Sequence, residues 1–242
     1  MTNLPNQNKK NTTLSIEDEK KLLFNKTIHC PVCESIFKTK TVKVNAPRIE
    51  SKDSDFFIRY KTINPYFYDV TVCQKCGYSA LKIDFDHIRE KQREFVLKSI
   101  TPKWSETTYP DIFDVDIAID RYKLALINAL TIKKKPSTIG MICLKIAWMY
   151  RLKRNDTSEL LFIEKAFNSF DSAFFNEQLP VYGMQKSTLL YLLAILEYKL
   201  KRPDDALRKL SEVLIDDTAP HRLKELTRDL KDLIKIDKKR AE

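Results

Sequence analysis

Val70 to Phe85 reads VTVCQKCGYSALKIDF, and the fold turns on what its two cysteines are for. Two residues between thiols let one tight turn aim both sulfurs at a single point. Upstream, Cys30-Pro-Val-Cys33 repeats the spacing. Two such turns supply a tetrahedral four-sulfur site, which suits zinc, so Cys30, Cys33, Cys73 and Cys76 are the candidate ligands. Gly77 follows the second pair, where a metal knuckle often needs positive φ. A thioredoxin-like switch would want one such pair beside a βαβ unit; here there are two pairs, each beside a predicted strand. A zinc deaminase needs H-x-E together with P-C-x-x-C, whereas His29, His87 and His221 begin HCP, HIR and HRL. Four thiolates leave no open coordination position, so the expected role of the metal is structural. Redox chemistry and a catalytic metal are the lesser alternatives. His29 is a possible substitute ligand, more simply a residue flanking a strand. Cys143, inside MICLKIAW, reads as a small core residue.

The 242 residues are 43% hydrophobic, enough to fill a core. No apolar run of about 18 residues occurs, so no membrane span is expected. The polar start MTNLPNQNKKNTTLSIEDEKK does not resemble a signal peptide. The expected compartment is therefore the cytoplasm, where paired thiols more often mean metal than disulfide. The net charge of +10 is carried by residues 1–154, and residues 155–242 are close to balanced. That field suits nucleic acid or an acidic protein, yet no run of five basic residues appears. Three glycines in the whole chain, against a usual ~7%, argue against phosphate-cradling loops and the nucleotide-binding folds built on them.

Ser15-Ile-Glu-Asp18 reads as a capping box opening a short helix. Residues 27–72 concentrate β-branched and aromatic residues, as in KTKTVKV and PYFYDVTV, with turns at Ala46-Pro47 and Asn64-Pro65. From Asp84, FDHIREKQREFVLKSI takes up helical spacing, and a loop with Pro102 and Pro110 follows. Six helices are expected over 116–134, 137–153, 157–178, 185–200, 203–216 and 219–236. A weak repeat joins YRLKRND at Tyr150–Asp156 to YKLKRPD at Tyr198–Asp204. Each copy is an apolar helix, a basic turn and an amphipathic helix, resembling a tetratricopeptide pair with a period longer than the usual ~34 residues. Leu223, Leu226, Leu230 and Leu233 form a stripe expected to cap the stack. The fold class is thus α+β: a small zinc-ribbon-like β unit, then a tetratricopeptide-like stack of helix hairpins. The expected boundaries are 1–25 (polar segment and short helix), 26–86 (ribbon unit), 87–115 (helix and linker) and 116–242 (helical repeats).

Between the cysteine pairs lies PRIESKDSDFFIRYKTINPYFYDV, which interleaves Arg48, Asp53, Asp55, Arg59 and Tyr60 with Asn64, Tyr66 and Tyr68. Aromatic residues among basic ones can stack on single-stranded nucleic acid. The plainer reading is an ordered loop, with an aspartate paired to Arg48 and the tyrosines packed on the ribbon. These eight residues are the candidate contact surface. The run from CPVCESIFKTKTVKV to VTVCQKCGYSALKIDF, together with YKLAL, KIAWMYRLKRND and LLYLLAILEYKLKRPDDAL, resembles an uncharacterised bacterial family, domain of unknown function 2225. The resemblance implies a cytoplasmic protein with a zinc-ribbon-like head and tetratricopeptide-like helices, and no established activity. Cys30, Cys33, Cys73 and Cys76 match the family's cysteines. Arg48, Asp53, Asp55, Phe56, Tyr60, Asn64, Pro65 and Tyr68 match its inter-knuckle motif. The chain departs at Glu34, where a small residue or glycine is expected, and at Ser79 and Ala194, where the pattern has alanine and glycine.

The function expected from these features is that of a non-enzymatic scaffold or adaptor, stabilised by structural Zn2+ and binding a protein or peptide through its helices. The alternative is a nucleic-acid-binding regulator using the basic ribbon half. An enzyme is disfavoured because no nucleophile–base pair stands out.

Overall fold

In a computed structural model, which describes residues 15–241, three antiparallel hairpins precede a helical stack. Helix α1 (Ile16–Lys21) is capped by Ser15, whose Oγ accepts from Asp18 N–H at 3.1 Å, as the capping box predicts. The polar residues 1–14 lie outside the described residues. Strands β1 (Leu23–His29) and β2 (Ile36–Val42) form the first hairpin. The middle hairpin is β3 (Ile49–Lys52) with β4 (Ile58–Tyr60), and the third is β5 (Val70–Val72) with β6 (Ser79–Leu81).

The expected strand over PYFYDVTV is only half strand. Pro65–Tyr68 is a 3-10 turn, because Asn64 Oδ1 accepts from Tyr66 N–H and Pro65 cannot donate to a ladder. Likewise α2 starts at Glu90 and runs to Ser99, later than the helical spacing from Asp84 suggests. Residues 84–87 are a turn, with His87 N–H on Asp84 O, and the Asp84 carboxylate takes the Tyr182 hydroxyl.

The six C-terminal helices fall within a few residues of expectation: α3 (Val115–Thr131), α4 (Pro136–Leu152), α5 (Asp156–Asn176), α6 (Lys186–Lys199), α7 (Pro203–Ile215) and α8 (His221–Ala241). Prolines open α4 and α7, where a missing N–H costs nothing. Helices α3, α4 and α6 share one ending. Lys133, Arg154 and Lys201 take φ of 50°, 55° and 62°, and each is followed by an N–H that reaches back five residues, to Ala129, Tyr150 and Glu197. This is the Schellman closure usually served by glycine. Basic side chains at all three left-handed positions fit a chain with so few glycines.

Helices α4 with α5 and α6 with α7 pack as successive pairs, matching the repeat. Helix α6 is buried on nearly every side from Leu189 to Glu197. Ala194, one of the departures from the family pattern, is fully buried there. The main core is not confined to the helices. Phe57, Val70, Val72 and Leu81 join α3 to α6 in one apolar cluster, so the interior crosses the expected boundary between ribbon unit and helical repeats. The stripe on α8 also divides. Leu223, Thr227, Leu230 and Ile234 are buried, whereas Leu226 and Leu233 are 40% and 47% exposed. The helix caps the stack with one edge and leaves the other open. No helix among the described residues is long and apolar enough to cross a membrane.

Candidate metal centre

The first and third hairpins carry the two knuckles at their tips. Each is built by the same backbone pattern. Cys30 N–H bonds Ser35 O at 2.9 Å and Glu34 N–H returns to Cys30 O at 3.0 Å. In the third hairpin Cys73 N–H bonds Tyr78 O at 2.8 Å and Gly77 N–H returns to Cys73 O at 2.9 Å. Glu34 and Gly77, the residues after each second cysteine, both have positive φ, 63° and 76°. The departure at Glu34 therefore leaves the knuckle intact. That side chain points out to an ion pair with Arg93 of α2, 3.2 Å away.

The pattern brings Cys30, Cys33, Cys73 and Cys76 together, with all four sulfurs within 4.8 Å of one another. Cys30 and Cys76 are 3.7 Å apart and Cys33 and Cys73 are 3.6 Å apart. Sulfurs tetrahedral about a metal at about 2.3 Å stand roughly 3.8 Å apart, so the cluster has the dimensions of a metal site. Three of the cysteines are buried. Cys73, facing Cys30, Cys76 and the Ser35 hydroxyl, is held well below the ordinary thiol range. The same crowding pushes Cys76 up and Cys30 up to about 12. Four sulfurs this close favour a cation that relieves their competition for protons. His29 sits exposed at the end of β1, outside the cluster. Cys143 is buried in α4 and burial pushes its thiol up to about 12, as for a core residue.

Aromatic and polar groups from later in the chain close over the site. Tyr78, Phe85, Val96 of α2 and Ile132 pack with the cysteines. The Trp104 indole N–H donates to Gln74 O at 2.6 Å, Thr101 Oγ1 to Cys76 O at 3.0 Å, and Asn128 Nδ2 of α3 to Gly77 O at 3.2 Å. Ser79, the other ribbon departure, is buried and donates its hydroxyl to Gly77 O. Ribbon, linker and first long helix are thus tied to one backbone turn.

The segment between the knuckles is turned inward. The tip of the middle hairpin inserts against α4 and α5. Asp55 is fully buried, and Arg151 of α4 reaches it with Nη2 at 2.5 Å and Nη1 at 3.0 Å. Arg151 Nη1 also reaches Asp53 at 2.9 Å, and its Nε reaches Glu159 at 2.7 Å. Arg59 takes Asp53 from the other side with two bonds of 2.9 Å. Lys199 lies 3.7 Å from Glu159. Three carboxylates thus face three cations. Burial alone would raise Asp53, but Arg59 and Arg151 hold its carboxyl below the usual range. The sequence suggested Arg48 as the aspartates' partner; Arg48 is exposed and lies off the network. Arg151 was missed. Its signal was faint: a basic residue in the YRLKRND turn, where its counterpart Lys199 also meets Glu159.

The rings of the segment are engaged internally as well. Phe57 stacks on Trp148 at 5.4 Å and Tyr66 packs on both. Tyr60 meets Tyr66 edge-on at 5.9 Å. Tyr68 stacks on Phe113 at 4.7 Å, and its hydroxyl accepts from Phe113 N–H. Asn64 caps the 3-10 turn. Of the eight candidate contact residues, Arg48 is exposed, Asp55 and Tyr68 are buried, and the others are half-buried.

No curated protein and no solved structure matches the chain. The model of the bacterial family described as uncharacterized protein conserved in bacteria, DUF2225, matches residues 23–234; the knuckles, the inserted hairpin and the helical stack all fall inside that span, and the chain belongs to this family.

Proposed function

We propose that this protein is a non-enzymatic adaptor, stabilised by one structural zinc on Cys30, Cys33, Cys73 and Cys76, that binds an acidic peptide carrying an apolar anchor. The zinc is supported by the all-sulfur donor set and by the sulfur spacing. The observation that carries the adaptor reading is a groove of ≈490 Å3 between the tip of the middle hairpin and helices α6 and α8. Its floor includes Phe56, Tyr191, Leu226 and Leu233, and its rim carries Lys52, Lys199 and Arg222. Phe56 sits at φ 69° and packs on Tyr191 at 5.7 Å, so the hairpin forms one wall. Of these rim charges, Lys199 is paired with Glu159 and Asp53 with Arg59 and Arg151, which leaves Lys52 and Arg222 against Asp229. An apolar floor under a basic rim suits an acidic amphipathic segment, with the anchor supplying affinity and the charges orientation.

The test is fluorescence polarisation with the purified full chain and paired peptides of equal length. One peptide flanks a leucine or phenylalanine with Glu and Asp; its partner replaces those acids with Lys. Saturable binding of the acidic peptide, weakened by Leu226→Glu, is the expected result. Equal binding of both peptides, or none, would sink the reading. Absorbance at 260 nm in protein purified without nuclease, lost at high salt, would favour the nucleic-acid-binding alternative.

A further inference from the structure

Arg121 of α3 is a cation in the interior without a carboxylate partner among the described residues. It is 3% exposed, and its guanidinium lies over the edge-to-face pair of Phe113 and Tyr109, 4.4 and 4.6 Å from their centroids. Nη2 donates to Val70 O at 2.5 Å, while Nε is buried with no hydrogen-bond partner. Burial pulls Arg121 down to about 10. Lys82 is also pulled down by burial, to about 8, with Asp69 opposing the shift and Arg121 and Lys26 adding to it. Asp69 is itself ion-paired with Lys145. Both cations are lowered chiefly by loss of water, and the Arg121 Nε is left with no group to replace it. Removing a charge from water without compensation is costly, and cation–π contact offsets only part of the cost.

A cavity of ≈80 Å3 opens beside Arg121, on the side of the first hairpin. Strand β2 contributes Lys38 and Lys40, the third hairpin contributes Gln74, and Tyr109 and Phe113 are among the other lining residues. Lys40 is 2.8 Å from Asp111, which also meets Lys20 at 3.4 Å. Lys38 is exposed and makes no ion pair among the described residues. A water occupies about 30 Å3 in the liquid, so the cavity is the size of a few waters. It suits a compact oxyanion.

We propose that this cavity binds the phosphate group of a small anion, with the Arg121 guanidinium inside and the Lys38 and Lys40 ammonium groups at its mouth. The anion would supply the missing negative charge through charge-assisted hydrogen bonds, which are stronger than neutral ones. Inorganic phosphate fits entirely; a phosphomonoester would seat its phosphate and leave its remainder outside. The site is separate from the peptide groove and does not depend on it.

The test is isothermal titration of the metal-loaded full chain with inorganic phosphate and, separately, glycerol 3-phosphate, against chloride at equal ionic strength. One saturable site is expected. Tighter binding of phosphate would identify the free ion as its ligand, and tighter binding of the ester would identify a phosphomonoester. Arg121→Met should abolish binding. Lys38→Glu, at an exposed position, should weaken it by at least about tenfold, the loss of one charge-assisted contact. Should Arg121→Met fail to fold, Lys38→Glu carries the test alone. No heat beyond the chloride blank with either ligand, or unchanged affinity in Lys38→Glu, would overturn the assignment.

Discussion

At the tip of the first hairpin Glu34 stands at φ 63°, and at the tip of the third Gly77 stands at φ 76°. The turns are the same, yet one accepts a charged side chain and the other a bare backbone. The difference lies in the neighbours. A Cβ on Gly77 would come within 2.6 Å of the Trp104 ring, which lies against the turn to reach Gln74 O. Beyond Glu34 is solvent and the Arg93 guanidinium. The strands follow suit: β5 and β6 are buried throughout, whereas β1 is mostly exposed. One knuckle is embedded in the helical core; the other meets the rest of the chain through its sulfurs and a smaller apolar contact of Val32 and Phe37 with Phe85 and Val96. Left-handed geometry alone does not demand glycine; close approach of a second group does.

The largest test of that asymmetry is removal of the proposed zinc. Structural zinc contributes on the order of 10 kcal/mol to small ribbons. Chelation should therefore release the first hairpin, while Val70, Val72 and Leu81 keep the third against α3. Amide exchange followed by mass spectrometry should show Leu23–Val42 losing protection far more than Val70–Leu81. Equal loss in both would mean that the third hairpin also depends on the metal, and the comparison would fail.

The middle hairpin sharpens the comparison, because charge as well as apolar packing docks it. Arg151→Met leaves the fully buried Asp55 without its cation, a change that costs about 3–5 kcal/mol. Urea unfolding should report it. The network also sets an acid limit. Arg59 and Arg151 hold Asp53 below the ordinary carboxylate range in the folded chain, so its contribution is complete above the unfolded value and fades as pH falls through the lower folded one. Wild-type stability should drop below about pH 4, and Arg151→Met should flatten that drop. An unchanged acid profile in the variant would place the acid sensitivity elsewhere.

Gly77→Ala tests the embedded knuckle directly. It combines a left-handed φ with a clash against an aromatic ring, and should cost about 3 kcal/mol. Trp104→Ala in the same background should recover part of that loss by removing the ring, with thermal unfolding as the readout. No recovery would show that φ alone accounts for the cost.

How much of this was legible in the sequence follows from how local each signal is. The C-x-x-C pairs, Ser15, Asn64 and the helix-opening prolines act within a few residues, and each sits where its chemistry predicts. The strand expected over PYFY failed to a local competitor that was also visible, Asn64-Pro65. Arg151 was hidden because its two aspartate partners lie about a hundred positions away, and nothing in YRLKRND distinguishes a buried arginine from a solvated one. The α8 stripe misled for a related reason. Leu223, Leu226, Leu230 and Leu233 fit one helical face, but α6 and α7 cover only part of it, and Thr227 and Ile234 take the remaining inward positions. Periodicity gives a face, and the packing partner decides how wide it is.

Glu34→Gly is the smallest test and the most selective. Relief of a left-handed non-glycine residue is worth about 1 kcal/mol. Glycine gives part of this back in unfolded-state entropy, and loss of the exposed pair with Arg93 removes little, since surface ion pairs contribute about 0–1 kcal/mol. The expected outcome is a change within about 0.5 kcal/mol of zero, read from urea midpoints with the metal bound. If the first knuckle were as embedded as the second, removing its side chain would cost far more. A large loss would therefore place Glu34 among the groups that support the metal, and a small one confirms that the first turn is fixed by its backbone and its sulfurs.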